Sequence, residues 1–210
     1  ALGQFREDDE AFEILAKAWR EETMYYAAGT AALAMGNSRH PRAFDTIVKG
    51  LDRPAHGNII TRNGLSALAE LRDAKAIALV TKYTRAGEPE WIRQAACNAL
   101  GKLGDYLEDK RDDIRDILVL LLRDTNYRTK IGAIQGLGTM GDPKAIPELQ
   151  KIQDQEPIGT FRRLARRTVK QIQEKVAERA KKVEQQAELD KLKDENKDLK
   201  ARVANLEGKV

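Results

Sequence analysis

The sequence contains little of what several protein classes require. Of its 210 residues only Cys97 is a cysteine, six are prolines and 5% are aromatic. A single thiol cannot form an internal disulfide, and no apolar run approaches the roughly 20 residues that a membrane-spanning helix needs. A charged fraction of 33% with so few aromatic residues is typical of exposed helices and not of a β-sandwich. We therefore expect an all-α protein of a reducing compartment, the cytoplasm, with no membrane partner.

Residues for catalysis are also missing. Zinc hydrolases hold the metal with two imidazoles one helical turn apart and a carboxylate. The two histidines, His40 and His56, instead lie in successive regions between predicted helices. Their positions do not match the ligand spacing of a zinc site and do not support a catalytic Cys–His or Ser–His–Asp arrangement. No glycine-rich phosphate loop is present. We expect no catalytic residue, metal ligand or cofactor in this chain, and we predict that Cys97, which stands among alanines, is a small buried residue.

What the sequence does contain is an internal repeat. Leu33, Leu68, Leu100 and Leu137 are separated by 35, 32 and 37 residues. Each lies in a helical stretch with one apolar face that is rich in alanine and glycine, and each stretch is followed by a turn and a second amphipathic helix. A hairpin of this kind buries its apolar face only against the next hairpin, so the pattern predicts an α-solenoid.

The repeats resemble short HEAT-like repeats such as those of phycobilin lyases, whose pattern appears in "IRQAACNALGKLGD". We predict four segments: a partial repeat at 1–23, HEAT-like repeats at 24–156, a basic capping helix at 157–188 and a coiled-coil extension at 189–210. Because "ALGQF" has the composition of "ALGKL" inside a repeat helix, we expect the chain to be a piece of a longer protein, with an ordinary short helix as the alternative.

Five aromatic residues have two interpretations. One interpretation is that they line a groove, but aromatic residues at helical spacing are usually core residues, and we predict a core position for all of them. The five are Trp19, Tyr25, Tyr26, Trp91 and Phe161.

A long C-terminal helix is predicted from Thr160, since no glycine or proline follows until Gly208. Its last part has a heptad pattern. Position a holds Leu189, Asn196, Val203 and Val210, and position d holds Leu192, Leu199 and Leu206. Asparagine at a favours two strands in register, because its amide then meets its own mate.

The charges beside this seam favour a parallel homodimer. Across such a pair, Glu188 of one chain faces Lys193 of the other, Glu195 faces Lys200, and Arg202 faces Glu207. Each exposed pair contributes about 0.2–1 kcal/mol, so the pairs select orientation more than they stabilise. A lone or antiparallel helix stays open as the alternative.

A basic run covers residues 161–182, with nine basic and two acidic residues. Its predicted basic face consists of Arg162, Arg163, Arg166 and Arg167. Clustered cations attract phosphates, which makes a nucleic-acid binder a third hypothesis. We expect instead a solvated helix face that pairs partly with the solenoid, and no nucleic-acid partner.

The quoted repeats, together with "LDRPAHGNIITRNGLSALAELRDAKAIALV" and the ending "LDKLKDENKDLKARVANLEGKV", also resemble the C-terminal HEAT-like region of the aminopeptidase N family, the gluzincin zinc metallopeptidases of bacteria and archaea. In that family the zinc motif lies in an upstream domain, and none of its residues exists here. The resemblance implies a non-catalytic accessory domain that packs on the catalytic domain of a zinc-containing hydrolase and gates substrate access. The alternative is a stand-alone HEAT-repeat scaffold that binds a protein or peptide partner and dimerises through its coil.

Overall fold

A computed structural model describes residues 2–6 and 8–207, and the side chains of these residues except at positions 2, 198 and 201–207. This part of the chain contains ten α-helices and four short 3-10 turns, and no strand. The helices are α1 (Asp9–Glu21), α2 (Tyr25–Ser38), α3 (Ala43–Lys49), α4 (Ile59–Glu70), α5 (Lys75–Lys82), α6 (Glu90–Tyr106), α7 (Arg111–Leu121), α8 (Tyr127–Met140), α9 (Ile146–Gln155) and α10 (Gly159–Glu207). The predicted all-α class and the long C-terminal helix are confirmed.

The chain divides into two units, one ending at Ile172 and the other beginning at Gln173. In the first unit each helix hairpin packs against the next, as in an α-solenoid. The even-numbered helices α2, α4, α6 and α8, with residues 159–172 of α10, form one layer, which we call the even layer. Helices α1, α3, α5, α7 and α9 form the odd layer. The described residues of the second unit, 173–207, all belong to α10. No described helix is long and apolar enough to cross a membrane.

The repeat leucines lie in the core between the two layers. Leu68, Leu100 and Leu137 are fully buried at equivalent places in α4, α6 and α8. The prediction fails in the first repeat, where Leu33 is only partly buried and Ala32 is fully buried instead. Helix α2 has small residues on several sides, so its sequence does not specify which face packs. The contact with α4 selects the face, and the buried position differs from the predicted one by one residue.

Glycines let the even helices approach until their backbones touch. A Cβ atom on Gly136 of α8 would lie 2.6 Å from the carbonyl oxygen of Cys97 in α6. A Cβ atom on Gly132 would lie 2.9 Å from the carbonyl oxygen of Gln94. Real Cβ atoms do not approach a backbone oxygen so closely, because the overlap would force the two helices apart. The spacing of the even layer therefore depends on glycine at these positions.

Buried ion pairs join successive repeats on the side of the odd layer. The guanidinium of Arg93 donates to the carbonyl of Thr84 at 2.8 Å and pairs with the carboxylate of Asp124. Burial by itself would raise the pKa of Asp124, but hydrogen bonds from Arg93 and from the amide of Asn126 outweigh it, and the pKa lies below its ordinary value. Arg115 makes a similar pair with Asp142 at 3.0 Å in the next repeat.

Residues 159–172 of α10 complete the even layer. Phe161, Ala165 and Ile172 are buried, and Gly138 of α8 approaches the side chains of Thr168 and Gln171. This stretch therefore covers the apolar face that α8 would otherwise expose. The four-segment division from the sequence stays a prediction.

Replacing Gly136 with alanine should destabilise the protein. Alanine is a better helix former than glycine by about 1 kcal/mol, but the overlap with the Cys97 carbonyl should cost more, so we expect the free energy of unfolding to fall by about 1–3 kcal/mol. Urea unfolding followed by circular dichroism measures this. The matched control is Gly159→Ala, whose new Cβ would meet its nearest atom, in Arg162, only at 3.8 Å. Equal stability of the two variants would contradict the backbone-contact account.

Candidate functional site

An aromatic residue with two arginines marks the open face of the even layer. Trp91 at the start of α6 keeps 38% of its surface exposed. The guanidinium of Arg128 lies 3.2 Å from the centre of its ring, and that of Arg62 lies 5.1 Å from the centre. Arg128 also donates to Glu90 at 2.9 Å, which holds it in place. These cation–π contacts fix the indole while leaving part of it accessible to a ligand.

Two recesses follow this face across the repeats. One, of about 190 Å³, lies between α4 and α6 and includes Trp91 and Arg62. The other, of about 490 Å³, lies between α6, α8 and α10 and includes Arg167. Asn98 lines both, so the two recesses are adjacent. We call them together the amide groove, because their walls carry the carboxamides of Asn63, Gln94, Asn98, Gln135 and Gln171.

One polar atom in the amide groove is left without a partner. The side-chain nitrogen of Gln94 donates to Oε1 of Gln135 at 3.4 Å. Oε1 of Gln94 itself is buried and accepts no hydrogen bond from any residue that the structure describes. A buried acceptor without a donor costs roughly 1–3 kcal/mol. Gln94 lines the groove, so a small shift of its side chain would let this atom accept an N–H group from a ligand.

The charge of the amide groove has one sign. Arginines line both recesses, and no carboxylate does. In the described residues neither Arg62 nor Arg167 makes an ion pair. Basic residues nearby are neutralised, since Lys102 pairs with Glu70 and Lys130 pairs with Glu156 at 3.0 Å. The amide groove thus keeps two cations free for an anionic ligand.

The structure corrects the prediction that all five aromatic residues are core residues. Trp19 and Phe161 are buried, as predicted. Tyr25, Tyr26 and Trp91 are exposed, so for these three the prediction is wrong. Tyr25 and Trp91 stand in the first turn of α2 and α6, where the helix extends past its neighbour's core contacts. Helical spacing could not show this, because it gives the face of a residue but not its distance from the helix end.

Cys97 and His40 have structural roles. Burial raises the pKa of the Cys97 thiol to about 12, so it is protonated at neutral pH, and its predicted core position is confirmed. The His40 ring stacks on Phe12 with ring centres 4.1 Å apart, and its Nε2 lies 3.1 Å from Asp9. Within residues 2–6 and 8–207 no three His, Cys, Asp or Glu side chains are grouped to hold a metal ion.

The four arginines of the predicted basic face are all exposed, and they line two recesses. Arg162, Arg163 and Arg166 line a recess beside Asp154 on α9. Arg167 instead lines the amide groove with Leu164 and Gln171. Neighbouring residues on a helix point in different directions, and the packing of α10 on α8 assigns Arg167 to the even-layer face. What the first three arginines bind stays a prediction.

The predicted coil is helical through Glu207. Leu189, Leu192 and Leu199 are 47–56% exposed, and Asn196 lies beside them in a shallow surface depression. Val203 and Leu206 belong to the helix, but their side chains lie outside the described residues, as does all of Val210. Pairing of this seam stays a prediction.

The sequence contains a signal for the amide groove that the repeat analysis did not use. A polar residue stands two positions before three of the repeat leucines: Ser66, Asn98 and Gln135. A residue at that position lies about 200° around the helix from the leucine, so it faces away from the core. Arg62 and Trp91 do not belong to this repeating pattern, so only the structure shows that they lie together.

The fold and the groove define the class of the protein as a HEAT-like α-solenoid. Residues 130–155, which cover most of α8 and all of α9, match the family model described as PBS lyase HEAT-like repeat. A chain from the complex of CpcE and CpcF, the phycocyanin lyase of Nostoc sp. PCC7120, is similar in fold, with a TM-score of 0.61 and 16% identity over 77% of this chain and 99% of that one. A designed armadillo repeat protein in complex with the peptide (KR)4 has a TM-score of 0.48 and 14% identity, over 81% of this chain and 90% of that one. No curated protein matches the chain.

These comparisons overturn the predicted accessory domain of a zinc aminopeptidase. The matching repeat and the chain similar in fold are both of the phycobilisome lyase type, and nothing supports an aminopeptidase parent, a metallopeptidase or a hydrolase. The expectation of zinc elsewhere in a parent protein loses its basis with it. The prediction failed because the stretches that carried the resemblance are repeat residues, whose pattern is set by helix packing and is shared by unrelated functions. The alternative, a HEAT-repeat scaffold, fits better.

Native protein should resist alkylation at Cys97. With its thiol buried and its pKa raised to about 12, almost no thiolate is present at pH 8, and reagent cannot reach the sulfur. Mass spectrometry after iodoacetamide treatment should find an unmodified chain in buffer and one carbamidomethyl group in 8 M urea, roughly the usual denaturing concentration. Rapid modification of the folded protein would place Cys97 outside the core.

Proposed function

We propose that this chain is a protein-interaction scaffold that binds a segment of a partner protein in the amide groove. The observation that carries the proposal is the buried, unpartnered Oε1 of Gln94 at the junction of α6 and α8. Carboxamides both donate and accept hydrogen bonds, as a peptide backbone does, so a row of them is complementary to an extended chain. The chain of similar fold occurs in a complex of two proteins, CpcE and CpcF, which is in line with a protein partner here.

Packing of the repeats supports the same function. The core between the layers is complete without the amide groove, because Leu68, Leu100 and Leu137 are fully buried by neighbouring hairpins. The groove side chains therefore add little to folding, and their alignment along one face needs another explanation. Binding surfaces of this kind are typical of repeat proteins, whose stacked units present equivalent positions side by side.

We further propose that the scaffold dimerises through its C-terminal coil in parallel register. The seam leucines Leu189, Leu192 and Leu199 are about half exposed in a single chain. A second copy would cover them and place the two Asn196 amides together. The charged residues beside the seam are complementary between parallel copies, which favours the same protein over another partner.

Selection from a random linear-peptide library displayed on phage tests the groove. The protein should enrich peptides that it binds through the amide groove. The variant Asn98→Leu/Gln135→Leu should bind those peptides about tenfold more weakly, since two hydrogen-bonding side chains are lost at nearly constant volume. Biolayer interferometry measures the affinities.

The matched control is Gln155→Leu, at an exposed position at the end of α9 away from the groove. It should leave the affinities unchanged. Failure to enrich any peptide, or equal binding by the double variant, would refute the groove as the interaction site.

Sedimentation equilibrium tests the coil. The full chain should show a monomer–dimer equilibrium, and Leu192→Glu/Leu199→Glu should abolish it because charges would then oppose each other in the seam. Asn196→Leu should change the oligomer distribution, since the asparagine specifies two strands. Lys197→Glu, at a position outside the seam, is the control and should dimerise like the natural sequence. A chain that stays monomeric at every concentration would remove the coil proposal.

A further inference from the structure

We propose that the segment bound in the amide groove is an extended acidic peptide, with glutamate or aspartate side chains that pair with Arg62 and Arg167. The inference rests on the proposed function and adds the chemistry of the partner. It follows from three properties of the groove: the charge of its walls, its span from α4 to α10, and the kind of hydrogen bond that its orphan atom requires.

The charge argument is local. Elsewhere on the even layer, basic side chains have acidic partners: Arg128 pairs with Glu90, Lys102 with Glu70, and Lys130 with Glu156. Arg62 and Arg167 have no carboxylate partner in the described part of the chain, and no carboxylate lines either recess of the groove. Arg162, Arg163 and Arg166 also form no ion pair there, but the recess that they line contains the carboxylate of Asp154. A basic peptide would bring like charges together, whereas an acidic one would supply the missing partners.

The span of the groove sets the length of the segment. Arg62 lies on α4 and Arg167 on α10, three helices further along the even layer. Neighbouring helices pack with axes about 8–10 Å apart, so the axes of α4 and α10 are separated by roughly 24–30 Å. An extended chain advances about 3.3 Å per residue, so a segment of at most about nine residues spans the groove from α4 to α10.

The orphan atom favours a peptide over a nucleic acid. Oε1 of Gln94 is an acceptor and needs a donor. A peptide backbone presents an N–H group at almost every residue, whereas a phosphodiester backbone presents only acceptors. Two free arginines are also few for a polyanion, which is usually held by a dense row of cations. The groove is thus suited to a polypeptide that carries a small number of carboxylates.

Defined probes test this inference by fluorescence anisotropy. The probes are fluorescein-labelled ten-residue peptides of repeating Ser–Glu, Ser–Gln and Ser–Lys, and a ten-nucleotide oligothymidylate of comparable charge density. We expect the Ser–Glu peptide to bind at least about tenfold more tightly than the Ser–Gln peptide, with weakening as salt is added, and the Ser–Lys peptide not to bind.

Charge-matched variants locate the effect. Arg62→Gln/Arg167→Gln should reduce the affinity for the Ser–Glu peptide to about that for Ser–Gln. Arg162→Gln/Arg163→Gln removes the same charge but lies outside the groove, on the other recess of α10, and should leave binding unchanged. Gln94→Leu should lower the affinity for the Ser–Glu peptide about fivefold without changing the charge of the protein, because the acceptor for a backbone N–H is gone. Circular dichroism confirms that each variant is folded.

The outcomes separate the two proposals. Equal affinity for Ser–Glu and Ser–Gln peptides, or equal loss with the two double variants, would overturn the acidic-peptide inference. If oligothymidylate binds as tightly as the Ser–Glu peptide and the same groove variants weaken its binding, nucleic-acid binding would replace the acidic-peptide inference. If the phage library yields groove-dependent peptides that are neutral or basic, the scaffold function stands and only the inference fails; if it yields none, the scaffold function fails.

Discussion

Direct contact between helix backbones in the even layer is the constraint on which the rest of the structure depends. Glycines of α8 meet carbonyl groups of α6, with a hypothetical Cβ of Gly136 only 2.6 Å from the Cys97 oxygen. Side chains of any size would separate these helices and open the core between the layers. At Gly132 and Gly136 the nearest neighbours are backbone and apolar atoms of other helices. Polar side chains such as Asn98 and Gln135 emerge on the open face, where the repeat brings them into line.

Alignment of these side chains has an energetic consequence that connects fold to function. The stacked repeats satisfy their apolar surface internally, and ion pairs such as Arg93–Asp124 satisfy buried charges on the other side. On the open face the same packing leaves an acceptor of Gln94 without a hydrogen-bond donor and two arginines without a carboxylate partner among the described residues. These unpaired groups carry a local free-energy cost in the folded protein, and a ligand that pairs with them would remove it. This is the usual situation of a binding site.

The hydrophobic pattern predicted the fold correctly, whereas the family resemblance predicted the wrong function. The hydrophobic pattern of "WIRQAACNALGKLGD" specifies a helix that packs on two neighbours, and the structure contains that helix as α6. The same residues also suggested an aminopeptidase, and that suggestion was wrong because packing residues are common to many repeat proteins. The residues that distinguish this solenoid face outward, such as Arg62 and Gln94. They lie within the quoted stretches but are not part of the packing pattern that those stretches share with other repeats.

The sequence by itself determined the helical class, the two-helix repeat, the long C-terminal helix and the burial of Cys97, because each depends on local periodicity and on small residues at regular spacing. Only the tertiary structure decided that Ala32 and not Leu33 enters the core, that Trp91 is exposed between two arginines, and that Arg167 lines the amide groove. These features depend on how far one helix extends past the next and on its rotation about its axis. Both are set by contacts between residues some 30 positions or more apart, about one repeat length, which periodicity along a single helix does not encode.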